Sequence, residues 1–118
     1  NRSSPVSVVG AHSFIGIAAG GHSSEPQGSS YGLKTTGDVW AWGANTWGQL
    51  GDLSATQRSS PVSVVGAHSF IGIAAGQMSC FGRKSDGSVW SWGNGADGRL
   101  GNWSTSNQSS PVAVVGTV

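Results

Sequence analysis

The chain has 118 residues, of which 20 are Gly and 21 are Ser. Gly stands at more than twice its usual share of about 7%, and each Gly inside a helix costs roughly 1 kcal/mol relative to Ala, so an all-α fold is excluded. Six Lys or Arg against five Asp or Glu give a formal net charge of +1, which offers nucleic acid no basic footprint. No apolar run is long enough to span a membrane, and one cysteine, Cys80, permits no internal disulfide.

Self-similarity comes before local structure, because a missed repeat misplaces every element. Arg2–Gly20 and Arg58–Gly76 both read RSSPVSVVGAHSFIGIAAG, and a third copy opens at Gln108 as QSSPVAVVG. Between the copies lie two related segments, Tyr31–Gly51 and Phe81–Gly101. Pro5 and Pro61 are 56 residues apart, and Pro61 and Pro111 are 50 apart. The unit is therefore 50 residues, with an insertion in the first copy. Repeat 1 is expected at about residues 2–57, with the insertion at 25–30. Repeat 2 follows at about 58–107, and a partial third repeat at 108–118.

In chain order, Pro5–Val9 has the β-branched content of a strand, with Pro at its first position, where a missing N–H does no harm. Phe14–Ala19 is a second short strand, limited by Gly20. Glu25-Pro26-Gln27-Gly28-Ser29-Ser30 has the composition of a turn or flexible loop. Gly32–Lys34 leads into a tight turn at Thr36-Gly37-Asp38, and Val39–Trp42 forms the next strand. The second copy carries Ser85-Asp86-Gly87-Ser88 at the same turn, a strong hairpin signal. Trp40 and Trp42, two apart on a strand, share one face; Ala41, or Ser91 in the second copy, presents a small residue to the other. Strands of this length at a 50-residue period indicate a β-propeller, whose four-stranded blades recur at about 40–50 residues.

The stretches WAWGANTWGQLG and WSWGNGADGRLG resemble the RCC1 repeat family, named for the regulator of chromosome condensation. The family pattern V-W-x-W-G-x-N-x-x-G-Q-L-G is met in full by Val39, Trp40, Trp42, Gly43, Asn45, Gly48, Gln49, Leu50 and Gly51. The second copy keeps Val89, Trp90, Trp92, Gly93, Gly98, Leu100 and Gly101, but has Gly95 in place of Asn and Arg99 in place of Gln. The resemblance implies an all-β fold of propeller blades built from short antiparallel strands. This chain supplies about two blades of a family that builds seven, so it is expected to close or extend only with further blades. These come from a longer chain or from other copies of itself.

No catalytic residue, metal site or cofactor is expected. His12 and His68 fall at one place in the identical repeats, and neither they nor His22 has a nucleophile or carboxylate at a recurring spacing. Paired carboxylates, a nucleophile elbow and a His/Cys cluster with metal spacing are missing. The candidate binding residues are Glu25, Pro26 and Gln27 in the insertion, because loops on rigid scaffolds carry function. Trp47 and Trp103 join them as aromatic side chains in loops. Asn1, Asn102 and Asn107 open N-x-S sequons and are candidate glycosylation sites. The functional expectation is a non-catalytic binding or structural scaffold for another protein. A self-assembling extracellular or surface fibre, and nucleotide exchange on a small GTPase as in the family's namesake, are the alternatives. Scarce Lys and abundant Ser, Thr and Gly lean towards a secreted or surface bacterial protein.

Overall fold

The computed structural model describes Ser4 and residues 6–10, 12–22, 25–66 and 68–115. They form two four-stranded antiparallel sheets, each ordered as a meander. The first holds β1 (Gly16–His22), β2 (Glu25–Leu33), β3 (Val39–Gly43) and β4 (Arg58–Ser63); the second holds β5 (Gly72–Ala75), β6 (Ser79–Arg83), β7 (Val89–Gly93) and β8 (Gln108–Ala113). A 3-10 turn at Ala96–Gly98 lies between β7 and β8. The β2–β3 turn closes with Lys34 N–H on the Asp38 carbonyl at 2.9 Å, and the β6–β7 turn with Lys84 N–H on the Ser88 carbonyl at 2.9 Å. Each sheet takes its outer strand, β4 or β8, from the start of the following repeat.

Three elements differ from the sequence reading. Val6–Val9 is exposed and forms no strand, although Val62 and Ser63, the counterparts of Val6 and Ser7, end β4; Pro5 lies outside the described residues. The reason is the partner: β4 runs along β3, with Trp40 opposite Ser63 and Ala41 opposite Val62, whereas no described strand stands beside Val6–Val9. The strand expected at Phe14–Ala19 begins only at Gly16, because Phe14 leaves the ladder to lie over Gly32 and stack on Trp42 at 5.9 Å.

The third is the insertion, which is not a loop. It lengthens the β1–β2 hairpin, with Ala19 opposite Ser30, Gly20 opposite Ser29 and Gly21 opposite Gly28, then a register shift before His22 meets Glu25. A ladder already begun gives each added peptide group a hydrogen-bond partner. Pro26, lacking an N–H, falls in the irregular stretch beyond the last regular rung.

The core lies between the sheets. One face of the first sheet presents Tyr31, Leu33, Val39 and Ala41, all buried, so the face opposite the Trp pair is not a face of small residues. Against it sits the Trp face of the second sheet: Trp92, Cys80 and Phe70, with Ile73, Ala75 and Trp90 packed at the margin. Trp92 is 0% exposed, stacked on Phe70 at 5.8 Å and met edge-on by Tyr31 at 6.4 Å. Its Nε1 has no hydrogen-bond partner among the described residues, so packing alone seats it. Burial pushes both the Tyr31 hydroxyl and the Cys80 thiol well above their ordinary pKa. At the inner strands the sheets come closest at Gly20, where a Cβ would collide with the Gly76 carbonyl oxygen.

The two Trp pairs allow a test within one molecule. Trp92 lies between two sheets, while Trp42, its counterpart, is stacked on Phe14 and stays half-buried among the described residues. Trp92→Ala is expected to cost about 3–5 kcal/mol, as for other buried large-to-small changes. Trp42→Ala should cost less than half of that. Urea denaturation of both variants, followed by Trp fluorescence, checks the ratio; equal losses would mean that the inter-sheet seat contributes nothing special.

Candidate functional site

The motif loops connect the third and fourth strands of each sheet. In the first, Asn45 is 1% exposed and ties the loop together from its centre. Its Nδ2 donates to Asp52 Oδ1 at 3.1 Å, to the Ser54 carbonyl at 3.0 Å and to the Thr56 carbonyl at 3.0 Å. Its Oδ1 accepts from Leu50 N–H at 2.9 Å. That last bond turns Leu50 into the core, where it is 0% exposed. Gln49, also buried, accepts the Trp47 N–H at its Oε1 at 2.9 Å, and its carbonyl accepts the Tyr31 hydroxyl at 2.7 Å. The Asn and Gln of the motif are therefore interior braces, and Trp47 is half-buried beside them.

Asp52 completes this network, accepting Ser54 Oγ at 2.8 Å and Arg58 Nε at 3.0 Å. Partial burial works against its charge, but hydrogen bonds from Ser54, Asn45 and Arg58 outweigh it and hold its pKa below the usual value of 3.8.

The second loop is held differently. Gly95, where the family has Asn, cannot carry a side chain, because a Cβ would strike the Ser106 carbonyl. Its N–H goes instead to Asn107 Oδ1 at 3.0 Å. Asn94 takes over part of the bracing, accepting from Ala96 N–H at 2.8 Å. Arg99 points outward and donates to the Ala96 carbonyl at 3.0 Å. Of the sequon residues, Asn107 is exposed, Asn102 is half-buried, and Asn1 lies outside the described residues. Sequence reasoning singled out Asn107 only as a sequon; its bracing of Gly95 twelve residues away leaves no local signal.

The repeated His residues lie in stacks. His12 is 4.5 Å from the Trp40 ring and 5.5 Å from Phe14; His68 is 4.4 Å from Trp90 and 5.4 Å from Phe70. Lys34 and Lys84 place their Nζ over the Trp40 and Trp90 rings at 4.5 and 4.4 Å. Burial and then the Lys84 charge hold the His68 pKa below its ordinary value. Among the described residues no group of three or more His, Cys, Asp or Glu could hold a metal ion.

The residues proposed for binding do not converge. Trp103 is 91% exposed at φ 61°, beside a shallow hollow of about 650 Å³ lined by Gly98, Gly101, Ser104, Thr105 and Val115. The backbone of Glu25, Pro26 and Gln27 lies on the hairpin extension of the other sheet, and their side chains lie outside the described part. Trp47 stands half-buried at the first motif loop.

Two stacked four-stranded meanders, each closed by the outer strand of the next repeat, are blades of a β-propeller. The model of the Regulator of chromosome condensation (RCC1) repeat matches residues 36–82 and 86–118, and the chain belongs to that family. Human WBSCR16 superposes on 85% of this chain and 25% of its own, at 25% identity and a TM-score of 0.74. Yeast RCC1 (Prp20), solved bound to Kap60, covers 98% of this chain and 26% of its own, at 22% identity and a TM-score of 0.72. A second structure, of Prp20p from Saccharomyces cerevisiae, studied for binding to Gsp1p and histones, gives 22% identity, a TM-score of 0.72 and 27% of its own length. The chain thus spans about a quarter of the solved structures it matches. No curated protein sequence matches it.

Removing Asn45 leaves Leu50 N–H and the Ser54 and Thr56 carbonyls without partners, so Asn45→Ala should destabilise by roughly 2–4 kcal/mol. Chemical denaturation reads this directly. Asp52 supplies a pH signature: its folded pKa lies below its unfolded one, so its contribution is complete above about 3.8 and is lost as pH falls through the folded value. The native chain should therefore melt above Asp52→Asn at neutral pH, with the gap closing towards pH ~2. A gap that persists in acid would show that the carboxylate charge is not what matters.

Proposed function

We propose that this chain is a non-catalytic segment of an RCC1-type propeller that acts as a protein-binding scaffold. One observation carries the reading. The residues that meet the family pattern are consumed inside: Asn45, Gln49, Leu50, Trp92 and Leu100 are all buried, and they brace loops or join blades. Among the residues that break the repeat, Trp103 lies outside and Glu25–Gly28 lengthen the hairpin. A rigid repeated frame with individual surface features is how binding repeat proteins are arranged, and exposed aromatic side chains are common anchors for a partner. The structure of yeast RCC1 (Prp20) bound to Kap60, and the study of Prp20p for its binding to Gsp1p and histones, support protein partners as the class to expect.

Two measurements test the reading. The chain at tens of micromolar should leave the release of a fluorescent guanine nucleotide from a small GTPase at its uncatalysed rate. Acceleration of tenfold or more would replace the scaffold reading with nucleotide exchange. Against a partner purified on the immobilised chain, Trp103→Ala should weaken binding about tenfold, the usual loss for an aromatic anchor, with an unchanged melting temperature. Unaltered affinity would remove Trp103 from the binding surface.

A further inference from the structure

We infer that Asn94 and Gly95 form a modification site in the second motif loop. When the loop opens, Asn94 converts through a cyclic imide to aspartate and isoaspartate, and Asn107 is the clamp that limits the opening. The inference rests on chemistry inside one loop and does not depend on the scaffold reading.

Asn94-Gly95 is the one Asn-Gly pair in the chain. Such a pair usually marks a hairpin turn, yet here it joins the end of β7 to the 3-10 turn. The pair is reactive because glycine has no side chain to shield its backbone nitrogen. That nitrogen, after losing its proton to base, attacks the side-chain carbonyl carbon of Asn94. A C–N bond forms, the bond to Nδ2 breaks, and Nδ2 leaves with a proton as ammonia. The product is a five-membered imide. Water then adds to one of its two carbonyl carbons and opens the ring. The residue left is either an ordinary aspartate or an isoaspartate whose side chain has become main chain. One water is taken up and one ammonia released, with no oxidant or reductant.

In the closed loop every group that must move is held. Gly95 N–H donates to Asn107 Oδ1 at 3.0 Å. Asn94 Oδ1 accepts the Ala96 N–H at 2.8 Å, its Nδ2 donates to Met78 Sδ at 3.6 Å, and its own N–H donates to the Met78 carbonyl at 2.9 Å. Asn94 is only 8% exposed, which keeps base and water from the reacting atoms. A bulkier residue at 95 would quench the reaction, but its Cβ would strike the Ser106 carbonyl. The close approach that demands glycine at 95 therefore leaves the reactive pair in place.

The fastening is weaker than in the first loop. There Asn45 and Asp52 tie the loop through bonds to Leu50, Ser54, Thr56 and Arg58. The second loop has Gly95, Asn102 and Gln108 at the places of Asn45, Asp52 and Arg58. Asn102 Oδ1 is buried with no partner among the described residues. Asn107, exposed on the segment before β8, is left to hold Gly95 across twelve positions. Segments with few such ties open at low cost, and each opening frees the Gly95 nitrogen and the Asn94 amide together.

The change does not reverse. A carboxylate at 94 takes the Nδ2 donor from Met78 and places a charge where burial opposes it. Isoaspartate adds a methylene to the main chain beside Gly95, where the Ser106 carbonyl leaves no slack. Either product weakens closure of the loop that carries Trp103, so the modification alters that surface in one direction.

Trypsin releases Ser85–Arg99, in which Asn94 is the only amide side chain. The mass gain of an amide-to-acid exchange in this peptide therefore reports Asn94 alone. The folded chain, and the chain unfolded in guanidinium chloride, are kept in mildly alkaline buffer for days to weeks and sampled. The unfolded chain should convert at least tenfold faster than the folded one, giving two acid products separable by chromatography. Folded Asn107→Ala should convert about tenfold faster than the native chain, the effect of one lost hydrogen bond. Asn107→Asp keeps an acceptor oxygen and should stay near the native rate. Hydrogen exchange at the Gly95 N–H needs no variant, and its slowing in the native chain should match the slowing of conversion. No conversion in the unfolded chain overturns the site, and equal rates in folded and unfolded chains overturn its guarding by the loop. An unprotected Gly95 N–H, or a folded Asn107→Ala that keeps the native rate, overturns the clamp.

Discussion

A propeller blade is a single small sheet with two apolar faces, and it cannot bury either of them alone. Everything in this structure follows from how that is met between Tyr31 and Trp92. The Tyr31 ring and the Trp92 indole are both fully buried, from opposite blades, and their edge-to-face contact closes the core. Apolar burial stabilises by about 25 cal/mol per Å², and two such rings remove the largest areas any side chains can offer. The close approach at Gly20 lets the inner strands meet, while the wider gap outside is filled by Trp92, Phe70 and Leu50. A wedge of this kind, narrow inside and broad outside, is what turns flat stacking into the radial arrangement of a propeller.

The motif loop serves the same seat from a distance. Tyr31 can be buried because its hydroxyl reaches the Gln49 carbonyl; an unpaired phenol there would oppose the packing it completes. Gln49 can present that carbonyl because Asn45 holds the loop shut and directs Leu50 inward. The second blade shows what happens when the demand is lifted. Phe81 replaces Tyr31 and needs no acceptor, Arg99 replaces Gln49 and points to solvent, and Gly95 replaces Asn45 with the brace supplied by Asn107. The departures from the family pattern in the second copy are thus coupled, and each is permitted by the others.

Much of this was legible in the sequence, and what was not shares one cause. The repeat, the hairpin turns at Gly37 and Gly87 and the single-faced Trp pairs depend on neighbours a few residues away, so period and composition disclose them. The motif loop was visible as a pattern but not as a mechanism, because Asn45 bonds residues five to eleven positions on and Asn107 reaches back twelve. The state of Val6–Val9 was not legible at all. Its letters occur again at Val62–Val65, in and beyond β4, and only the presence of β3 separates strand from exposed segment. The insertion reads as a loop by composition, yet it extends β1 and β2 because the ladder already begun outweighs the weak strand preference of Gly and Ser.

The identical segments also separate what fixes the fold from what can fix a function. Where nineteen residues recur unchanged, they cannot distinguish one blade from the next, and any surface built from them is presented twice. Recognition of a partner must therefore come from positions where the copies disagree. Among these are the hairpin extension beyond Gly21, Leu53 against Trp103, Arg58 against Gln108, and Leu33 against Arg83. Three of the four lie on loops, outer strands or hairpin ends, where a change costs the core little. Leu33 against Arg83 is the exception, since it falls on the face that joins blades. An apolar residue is needed where that face is permanently covered, and a charged one is tolerated where it meets water. Leu33 is buried between the two blades, and Arg83 is exposed.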